Sequence, residues 1–424
     1  MQKPYFFKGN SDFLNTEGST DDAVKKIQES FNKILDGKNL SFLLGSGCSS
    51  YIVQEDSADD PPRSTNVEIG IPTMVYLAEE FFTKNLSAKN KMWLSEEMEL
   101  NVENKEFFKN IEFFLGVLHS YKFFLDNVSG SDDILNKREM VNNIISEAKE
   151  YITKKILNED NNGKDRPLQL LYEKFYRKLL YRNLNLPKAN IFTTNYDLYS
   201  ETALDRLGIH YVNGFSGGIH KYFNPTIFNY ALSEKMDLSQ SKWNVIDNFF
   251  YLYKVHGSVN WVSDQESSKL FRIREIQDIS YDNLKEKENI MIHPTPLKYN
   301  ASFGSPYSDL FREFQKKLMR NNNILITLGY SFSDEHINNL IYQAFTIPSF
   351  RLIILGDPER SSEIDTLKKL DDPRIWIIGG ETDEGDKLHY FKGFVESILP
   401  DMTNDEIDDT IEKAIKTLIN KGDE

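Results

Sequence analysis

The second half of the chain alternates short apolar runs with helical patterns, and this alternation constrains the fold more than any other feature. The helical patterns cover residues 307–319, 334–345 and 362–370. The apolar runs lie at residues 190–194, 249–255, 289–293, 324–328, 352–355 and 375–378. Near-continuous apolar runs are typical of strands that are covered by helices on both faces. The chain is therefore predicted to be an α/β protein with a doubly wound, Rossmann-like parallel sheet.

The first half of the chain is predicted to contribute one strand and a large helical insertion. Residues 1–18 read as irregular, and Thr20 is expected to cap the helix that follows. A strand is predicted at residues 40–44. The polar segment 54–66 has no periodicity, which leaves either a solvated loop or a mobile lid over the site. Residues 73–182 then show helical spacing without a strand signal.

These patterns predict four units along the chain. Residues 1–37 form an N-terminal segment with the first helix, and residues 38–72 together with 184–400 form the Rossmann-like core. Residues 73–183 form the helical insertion after the first strand, and residues 401–424 form an amphipathic C-terminal helix. The terminal helix has two interpretations, docking on the parent domain or binding a partner.

Composition excludes several classes of protein. The 424 residues are 40% hydrophobic, which is enough for a substantial core. The formal net charge of −15 argues against unaided binding along nucleic acid, although a local basic groove stays compatible with it. The single cysteine, Cys48, excludes an intrachain disulfide and a multi-cysteine zinc module, and it fits a reducing, cytoplasmic setting. We expect no leader peptide, because residues 1–5 do not begin a charged-then-apolar pattern, and no membrane span, because no apolar run is long enough.

A glycine-rich turn follows the first predicted strand. Gly45 and Gly47 allow a sharp turn and a close approach to a pyrophosphate, and Ser46 and Ser49 add hydroxyl groups. A helix after the turn would direct its N–H groups at the same anion. The alternative is a tight connection between a strand and a helix. The turn lacks the lysine of a P-loop, which argues against an ATPase of that kind.

Polar side chains also follow two later strands, at the sheet edge where ligands bind in open parallel sheets. Thr194, Asn195 and Asp197 come directly after one of these strands. An amide and a carboxylate two residues apart can hold a sugar hydroxyl or water and an amide-bearing ring. The alternative is that one of them caps a helix that begins near Leu198. His256 ends the other strand, and an imidazole titrates near neutrality, as acid–base chemistry requires.

Further polar residues directly follow two of the last predicted strands. Gly329 and Ser331 are placed to contact a ribose or a phosphate, and Ser333 or Asp334 reads as a helix N-cap. Asp357 is placed to accept hydrogen bonds from ribose hydroxyls. The sequence leaves open whether either of two more histidines reaches the cleft, His293 and His336.

Taken in order, these motifs resemble the sirtuin superfamily, and more narrowly the bacterial sirtuin-like NAD hydrolases of anti-phage defence. The resemblance spans about residues 38–395. The motifs that carry it are Gly45-Ser46-Gly47, Gly70-Ile71-Pro72, Thr194-Asn195-Tyr196-Asp197, His256-Gly257 and Gly329-Tyr330-Ser331-Phe332-Ser333-Asp334. The chain length and the helical insertion are most similar to the sirtuin-like subunit that pairs with a HerA-type hexameric ATPase.

The resemblance implies roles for individual residues. Asn195 would orient the ribose or the attacking water, Asp197 would bind the nicotinamide carboxamide, and His256 would act as the base on the ribose hydroxyls. NAD+ would be the substrate, and no metal is expected. The residues implied to bind NAD+ are Gly45, Ser46, Gly47, Ser49, Thr194, Gly329, Ser331 and Asp357.

One departure from the superfamily bears on the reaction. Deacylating sirtuins carry a four-cysteine zinc ribbon, and this chain has no cysteine after Cys48. The resemblance therefore favours an NAD+ glycohydrolase that produces nicotinamide and ADP-ribose and depletes NAD+ in anti-phage defence. It also implies homo-oligomers and regulation by a HerA-type ATPase partner. The alternatives are a non-catalytic sensor of NAD or an ADP-ribose derivative, and an NAD-dependent protein deacylase.

Overall fold

The structure is a computed structural model that describes residues 3–14, 18–56, 64–72, 74–102, 109–158, 164–180, 182–183, 185–233, 245–246, 248–264, 271–285, 287, 289–291 and 304–400. The predicted C-terminal helix at residues 401–424 and His293 lie outside this part of the chain.

The strands within the described residues are, in chain order, β1 (Tyr5–Lys8), β2 (Ser11–Asp12), β3 (Asn39–Leu44), β4 (Ser50–Asp56), β5 (Ser64–Gly70), β6 (Asn190–Thr193), β7 (His210–Val212), β8 (Phe215–Ser216), β9 (Lys221–Phe223), β10 (Phe249–Lys254), β11 (Gly257–Ser263), β12 (Ile273–Glu275), β13 (Asn289–Met291), β14 (Asn323–Leu328), β15 (Arg351–Leu355) and β16 (Ile375–Gly379).

The helices are α1 (Thr20–Leu35), α2 (Met74–Glu80), α3 (Ala88–Glu97), α4 (Ile111–Asp126), α5 (Asp132–Leu157), α6 (Arg166–Leu180), α7 (Tyr199–Leu207), α8 (Tyr281–Leu284), α9 (Tyr307–Leu318), α10 (Glu335–Ala344), α11 (Ser362–Lys369) and α12 (Phe391–Gly393). Two π-helical turns continue α2 and α12, at Phe81–Asn85 and Phe394–Ile398.

A large, mostly parallel sheet forms the centre of the protein. Its order is β2-β1-β16-β15-β14-β3-β6-β10-β7. Each neighbouring pair from β16 to β7 is parallel, whereas β1 and β2 add antiparallel at one edge. Five of the predicted apolar runs form strands of this sheet, namely β6, β10, β14, β15 and β16. The α/β class with a Rossmann-like central sheet is therefore confirmed.

Helices cover both faces of the sheet, which explains the continuous apolar runs. One face packs against α1, α6, α7 and α12, through side chains such as Phe31, Phe175, Leu204 and Phe391. The other face packs against α9, α10 and α11, through Phe314, Ile341 and Leu367 among others. Strand β3 lies between β6 and β14 in the sheet, so the chain continues from β3 to its neighbour on one side and later returns to its neighbour on the other side. Loops at such a switch point diverge and open a crevice at the carboxyl ends of the strands.

The N-terminal segment extends the sheet, so the prediction of irregular structure is wrong for residues 5–8 and 11–12. Phe6 is fully buried and lies opposite Ile378 of β16. Pairing over such a sequence distance is not visible in a four-residue pattern. The cap of α1 is Ser19 and not Thr20, because the Ser19 hydroxyl accepts a hydrogen bond from the Asp22 N–H in a reciprocal capping box.

The polar segment after the glycine-rich turn also differs from the prediction. Strands β4 and β5 pair antiparallel from Ser50 opposite Gly70 to Asp56 opposite Ser64. The prediction of a loop is therefore wrong for residues 54–56 and 64–66. Backbone hydrogen bonds hold this hairpin, and its sequence does not show the alternation of apolar and polar residues that predicts a strand.

A second sheet was not anticipated from the sequence. It is antiparallel in the order β13-β11-β12-β9-β8, and β11 begins directly after His256. The apolar run at residues 289–293 contributes β13 here, so its assignment to the parallel sheet is wrong. The strands β8, β9, β12 and β13 have two or three residues each, which is too short to produce a readable period.

The helices between β5 and β6 divide into two packing groups. Helices α2 to α5 share their own apolar cluster, which contains Phe81, Phe114, Leu118 and Ile144. Helix α6 packs on the central sheet instead, through Tyr172 and Phe175. The predicted domain boundaries stay predictions, and the packing of α6 favours an insertion that ends before Arg166. No helix in the described ranges has the length and apolarity needed to cross a membrane.

Acid is expected to destabilise the fold through His389. This side chain is buried, its Nδ1 has no hydrogen-bond partner among the described residues, and burial lowers its pKa to about 4. The pKa of His389 in the folded protein lies below its ordinary value near 6.5. Between these two pH values, His389 is protonated in the unfolded chain but neutral in the folded protein. Stability should therefore fall as the pH falls, by about 2 kcal/mol between pH 7 and pH 5 from this group.

The measurement is chemical denaturation of the wild type and of His389→Gln at pH 7 and pH 5. We expect the variant to lose less stability than the wild type over this interval. His220→Gln is the matched control, because His220 is exposed. Equal acid sensitivity in His389→Gln and the wild type would contradict the prediction.

Candidate functional site

A cavity of about 380 Å³ opens at the carboxyl ends of β3, β6, β10 and β14. Its volume falls in the range of small-molecule sites. The chain segments around it are the turns after these four strands, the turn after β5, and parts of the helical segment, by which we mean residues 74–157 with helices α2 to α5. The lining residues are Ser46, Ser49, Ile71, Pro72, Leu77, Lys109, Asn110, Ile111, Ile152, Ile156, Thr194, Asn195, Tyr196, Asp197, His256, Tyr330, Ser331 and Ser333.

The glycine-rich turn packs against the loop that follows β14. The Gly45 N–H donates to Leu328 O at 2.8 Å, and the Gly47 N–H donates to Gly329 O at 3.0 Å. The expected helix after this turn is absent: a 3-10 turn, Ser46–Cys48, leads directly into β4. The glycines therefore let two loops cross at backbone contact, which the sequence analysis had interpreted as room for a pyrophosphate.

Gly329→Ala is expected to separate these two loops and to lower stability by about 1–3 kcal/mol. Gly329 has a φ of +57°, and a Cβ at this position would lie 2.6 Å from the carbonyl carbon of Gly47. Gly208→Ala is the matched control, because Gly208 has a φ of +65° and open space where its Cβ would be. Thermal unfolding of both variants tests the crossing, and an equal loss of stability would contradict it.

Asn195, Ser49 and Asp197 form one hydrogen-bonded unit. The Asn195 side-chain NH₂ donates to Gly45 O and to the Ser49 hydroxyl, both at 2.8 Å. Ser49 in turn donates to Asp197 Oδ2 at 2.5 Å. Asp197 Oδ1 accepts from the Tyr199 N–H at 3.1 Å at the start of α7, although the N-cap position itself is Leu198 and not Asp197. The carboxylate thus orients Ser49, and Ser49 with Gly45 fixes which way the Asn195 amide faces.

A buried ion pair fixes the turn that carries this unit. The Lys254 side chain is 1% exposed, and its Nζ lies 3.1 Å from Glu201 Oε1. The same ammonium donates to the carbonyl groups of Tyr196 and Asp197. Burial raises the pKa of Glu201, and the neighbouring Lys254 opposes that rise. Lys254 therefore connects strand β10 to the turn after β6.

His256 is paired with Asp334, a residue that the sequence analysis had interpreted only as a helix cap. His256 Nε2 lies 3.1 Å from Asp334 Oδ2, and His256 is 7% exposed. Asp334 Oδ1 accepts from the N–H groups of His336 and Ile337, so the capping role is also present. The positive end of a helix favours the ionised carboxylate. A carboxylate held in this way orients an imidazole and stabilises its protonated form.

The loop that brings Asp334 to His256 is itself held in place. It extends from β14 past the ends of β3 and β6, which lie between β14 and β10 in the sheet. The Asn338 amide donates to Phe332 O at 2.7 Å, and Tyr330 donates its hydroxyl to Asn338 Oδ1 at 2.9 Å. Phe332 has a φ of 57°, a strained value for a bulky residue, so these bonds stabilise a conformation that is unfavourable on its own.

The remaining predicted residues fall inside or outside the cavity as follows. Thr194 and Ser331 line it, whereas Asp357 does not, and Asp357 instead accepts from the Glu359 N–H. His336 is not among the lining residues and packs against Phe311. The residues implied to bind NAD+ that do line the cavity are Ser46, Ser49, Thr194 and Ser331.

The helical segment supplies a wall that the sequence analysis missed. Leu77, Ile111, Ile152 and Ile156 make this wall apolar, Lys109 adds a cation, and Ile71 from the turn after β5 extends the apolar surface. The periodicity of these helices indicated a buried face but not which neighbour it covers. No group of three or more His, Cys, Asp and Glu side chains suited to a metal ion occurs in the described part of the chain.

The fold and the cavity define an α/β protein with a small-molecule cleft at the switch point of a mostly parallel sheet. Residues 189–371 match the family model described as "SIR2-like domain". The match includes Asn195, His256 and Asp334, supports a sirtuin-like family and suggests NAD-related activity. The glycine-rich turn after β3 lies outside the matched residues. No curated protein matches the chain.

Proposed function

We propose that the protein is an NAD+ glycohydrolase, which cleaves NAD+ to nicotinamide and ADP-ribose. The observation that carries this proposal is the meeting of Asn195 and the His256–Asp334 pair at one cavity. The match to a SIR2-like domain supplies NAD+ as the ligand class. The absence of cysteine after Cys48 in the sequence favours hydrolysis over deacylation.

The proposed chemistry is the replacement of nicotinamide by water at C1′ of the ribose. The C1′–N bond breaks, its electron pair stays with nicotinamide, and the sugar passes through an oxocarbenium-like state. A water oxygen then bonds to C1′, and its proton goes to His256 directly or through a ribose hydroxyl. In a neutral imidazole that donates Nε2–H to Asp334, Nδ1 carries the lone pair that accepts this proton.

The surrounding side chains fit the other parts of NAD+. Asn195 directs its NH₂ group into the protein, which leaves its carbonyl oxygen as the end that orients the water. The hydroxyl of Ser46 and the ammonium of Lys109 are suited to the pyrophosphate. The apolar wall from the helical segment would exclude bulk water, which strengthens the electrostatic interactions at the ribose.

A role in anti-phage defence is part of the same proposal. NAD+ depletion would harm the host, so the activity would be restrained until assembly with a HerA-type ATPase, and the protein would act as a homo-oligomer in the cytoplasm. The helical segment is the proposed assembly surface because it exposes large apolar side chains. These include Met92, Phe123 and Phe124.

The test is the release of nicotinamide from an NAD+ analogue that becomes fluorescent on cleavage. Purified protein is measured alone and with the candidate ATPase, beside Asn195→Ala. We expect hydrolysis by the wild type in at least one condition and a loss of about 10²–10³-fold in the variant, because the water is no longer oriented.

The same assay separates the alternatives. Tight binding of the analogue with no release under any condition would indicate a sensor. Release only when an acylated peptide is present would indicate a deacylase. Either outcome would contradict the proposed glycohydrolase.

A further inference from the structure

A second and larger cavity lies at the opposite edge of the central sheet. It has a volume of about 770 Å³ and borders the first residues of β3, β6 and β10, which are Asn39, Asn190 and Phe249. The carboxyl end of α9 closes it. We call it the amino-edge cavity, and it shares no lining residue with the cleft described above.

Among the described residues, the charged side chains that line the amino-edge cavity are cations. They are Lys188, Lys316, Lys317 and Arg320. Glu313 compensates Lys316, because its Oε1 lies 2.9 Å from Lys316 Nζ. The chain as a whole has a net charge of −15, so a cavity with an excess of positive charge runs against its composition. This excess favours an anionic ligand.

Lys317 is the buried cation of the amino-edge cavity. Its side chain is buried, and its Nζ lies 4.8 Å from the ring centre of Tyr251. No ion pair joins it to a carboxylate in the part of the chain that the structure describes. Burial, with the nearby charges of Arg320 and Lys316, lowers the pKa of Lys317 to about 8, and the charge of Glu313 opposes this shift only in part. A bound anion would supply the missing negative charge.

Asn190 presents a buried acceptor, so it favours a hydrogen-bond donor on the ligand where Lys317 favours an anion. It is 6% exposed, and its Nδ2 donates to Leu40 O at 3.4 Å. Its Oδ1 is buried without a hydrogen-bond partner among the described residues. An acceptor left unpaired in this way is unfavourable, so the ligand should also bring an N–H or O–H donor. A fully ionised phosphate alone has no such donor.

We propose that the amino-edge cavity binds a small nucleoside phosphate, with its phosphates toward Lys317 and Arg320 and a hydroxyl or amino group toward Asn190. The volume is suited to a small molecule rather than to a polymer. Tyr251 and Phe228 supply the aromatic and apolar surface that a base requires. The proposal does not depend on the reaction in the cleft.

The first test is calorimetric titration of ADP and of inorganic pyrophosphate into the full-length protein. We expect ADP to bind more tightly than pyrophosphate, because the nucleoside of ADP adds hydroxyl and amino donors that can reach Asn190. Arg320→Ala should weaken ADP binding about 10- to 100-fold, since it removes a charge-assisted hydrogen bond. Arg312→Ala is the matched control, because Arg312 is exposed on α9, the helix that precedes Arg320, and pairs with Asp309.

ADP binding that is unchanged in Arg320→Ala would overturn the proposal, since it would locate ADP elsewhere, for example in the cleft. Absence of ADP binding to the wild type would also overturn it. Lys109→Ala distinguishes the two sites further, because it removes the cation proposed to bind the pyrophosphate in the cleft and should leave the amino-edge component of ADP binding unchanged, whether or not glycohydrolase activity is found.

The second test uses the proton balance at pH 8, where Lys317 is partly neutral. An anion that pairs with Lys317 raises its pKa, so binding should take up protons from the buffer. Titrations in buffers of different ionisation enthalpy measure this uptake. Lys317→Met should abolish it, whereas equal uptake in the variant and the wild type would overturn the assignment. If Lys317→Met does not fold, the result with Arg320→Ala decides.

Discussion

His256→Ala is expected to lower the rate of nicotinamide release by about 10²–10⁴-fold, the effect of removing a positioned acid–base group. His256 is the base in the proposed reaction, and no other described histidine lines the cleft. The variant should fold, because the lost side chain is replaced by a smaller apolar one beside Phe311 and Tyr196. The measurement is steady-state cleavage of the fluorescent NAD+ analogue.

Two further variants sharpen this result. Asp334→Asn keeps the shape and the cap of α10 but cannot stabilise an imidazolium, so it should lower the rate less than His256→Ala and alter its dependence on pH. His220→Ala, at an exposed site, is the matched control. Activity close to that of the wild type in His256→Ala would remove the imidazole from the mechanism.

Lys254→Met is expected to lower the free energy of unfolding by about 3–5 kcal/mol, the effect of breaking a buried ion pair by removing one partner. Glu201 would stay buried without its cation, and its Oε2 already has no partner among the described residues. The carbonyl groups of Tyr196 and Asp197 would also lose their donor. Any folded variant should therefore turn over NAD+ more slowly.

The pH dependence of this loss has a defined sign. Burial raises the folded pKa of Glu201, and removal of Lys254 removes the opposing effect. The free-energy cost of burying Glu201 applies only to its ionised carboxylate. This cost is therefore absent below the pKa of Glu201 in the unfolded chain, near 4.3, and it grows as the pH rises toward the pKa of Glu201 in the folded protein. Lys254→Met should therefore be closer to the wild type at pH 5 than at pH 8.

Urea denaturation of the wild type and three variants provides the measurement. The double variant Lys254→Met/Glu201→Leu should recover most of the lost stability, because it removes both charges from the core. Lys392→Met is the matched control, since Lys392 pairs with Asp386 at a partly exposed site and should lose less than about 1 kcal/mol. Similar losses in Lys254→Met and Lys392→Met would contradict the structural role given to Lys254.

The sequence predicted the sheet and the convergence of its polar turns for a general reason. Parallel strands end at one edge, so polar residues after buried runs meet there whatever the details of the helices. Asn195 and His256 follow adjacent strands, β6 and β10, and their meeting needed no knowledge of the loops.

Asp334 could not be paired with His256 in this way. Two strands separate β14 from β10, and the contact depends on a loop that crosses the glycine-rich turn. Strain at Phe332 and the bonds of Asn338 decide that path, and none of these is readable as a local pattern. The function of Gly45 and Gly47 in this crossing was hidden for the same reason, because the sequence does not identify the backbone that lies opposite a glycine.

The sequence did not predict the antiparallel sheet or the apolar wall of the cleft, and the reasons differ. Strands β8, β9, β12 and β13 are too short to show a period of two, and β9 pairs with β12, which lies far along the chain. The apolar faces of α4 and α5 were visible, but an amphipathic pattern does not identify the surface it covers.

We propose that NAD+ binds between the turn after β6 and the loop after β14. A crystal structure of His256→Ala, which should bind NAD+ without cleaving it, tests this placement. We expect the nicotinamide ribose beside Asn195, with space for a water roughly 3–3.5 Å from C1′. NAD+ bound at any other place on the protein, with Asn195 and Asp334 untouched, would contradict it.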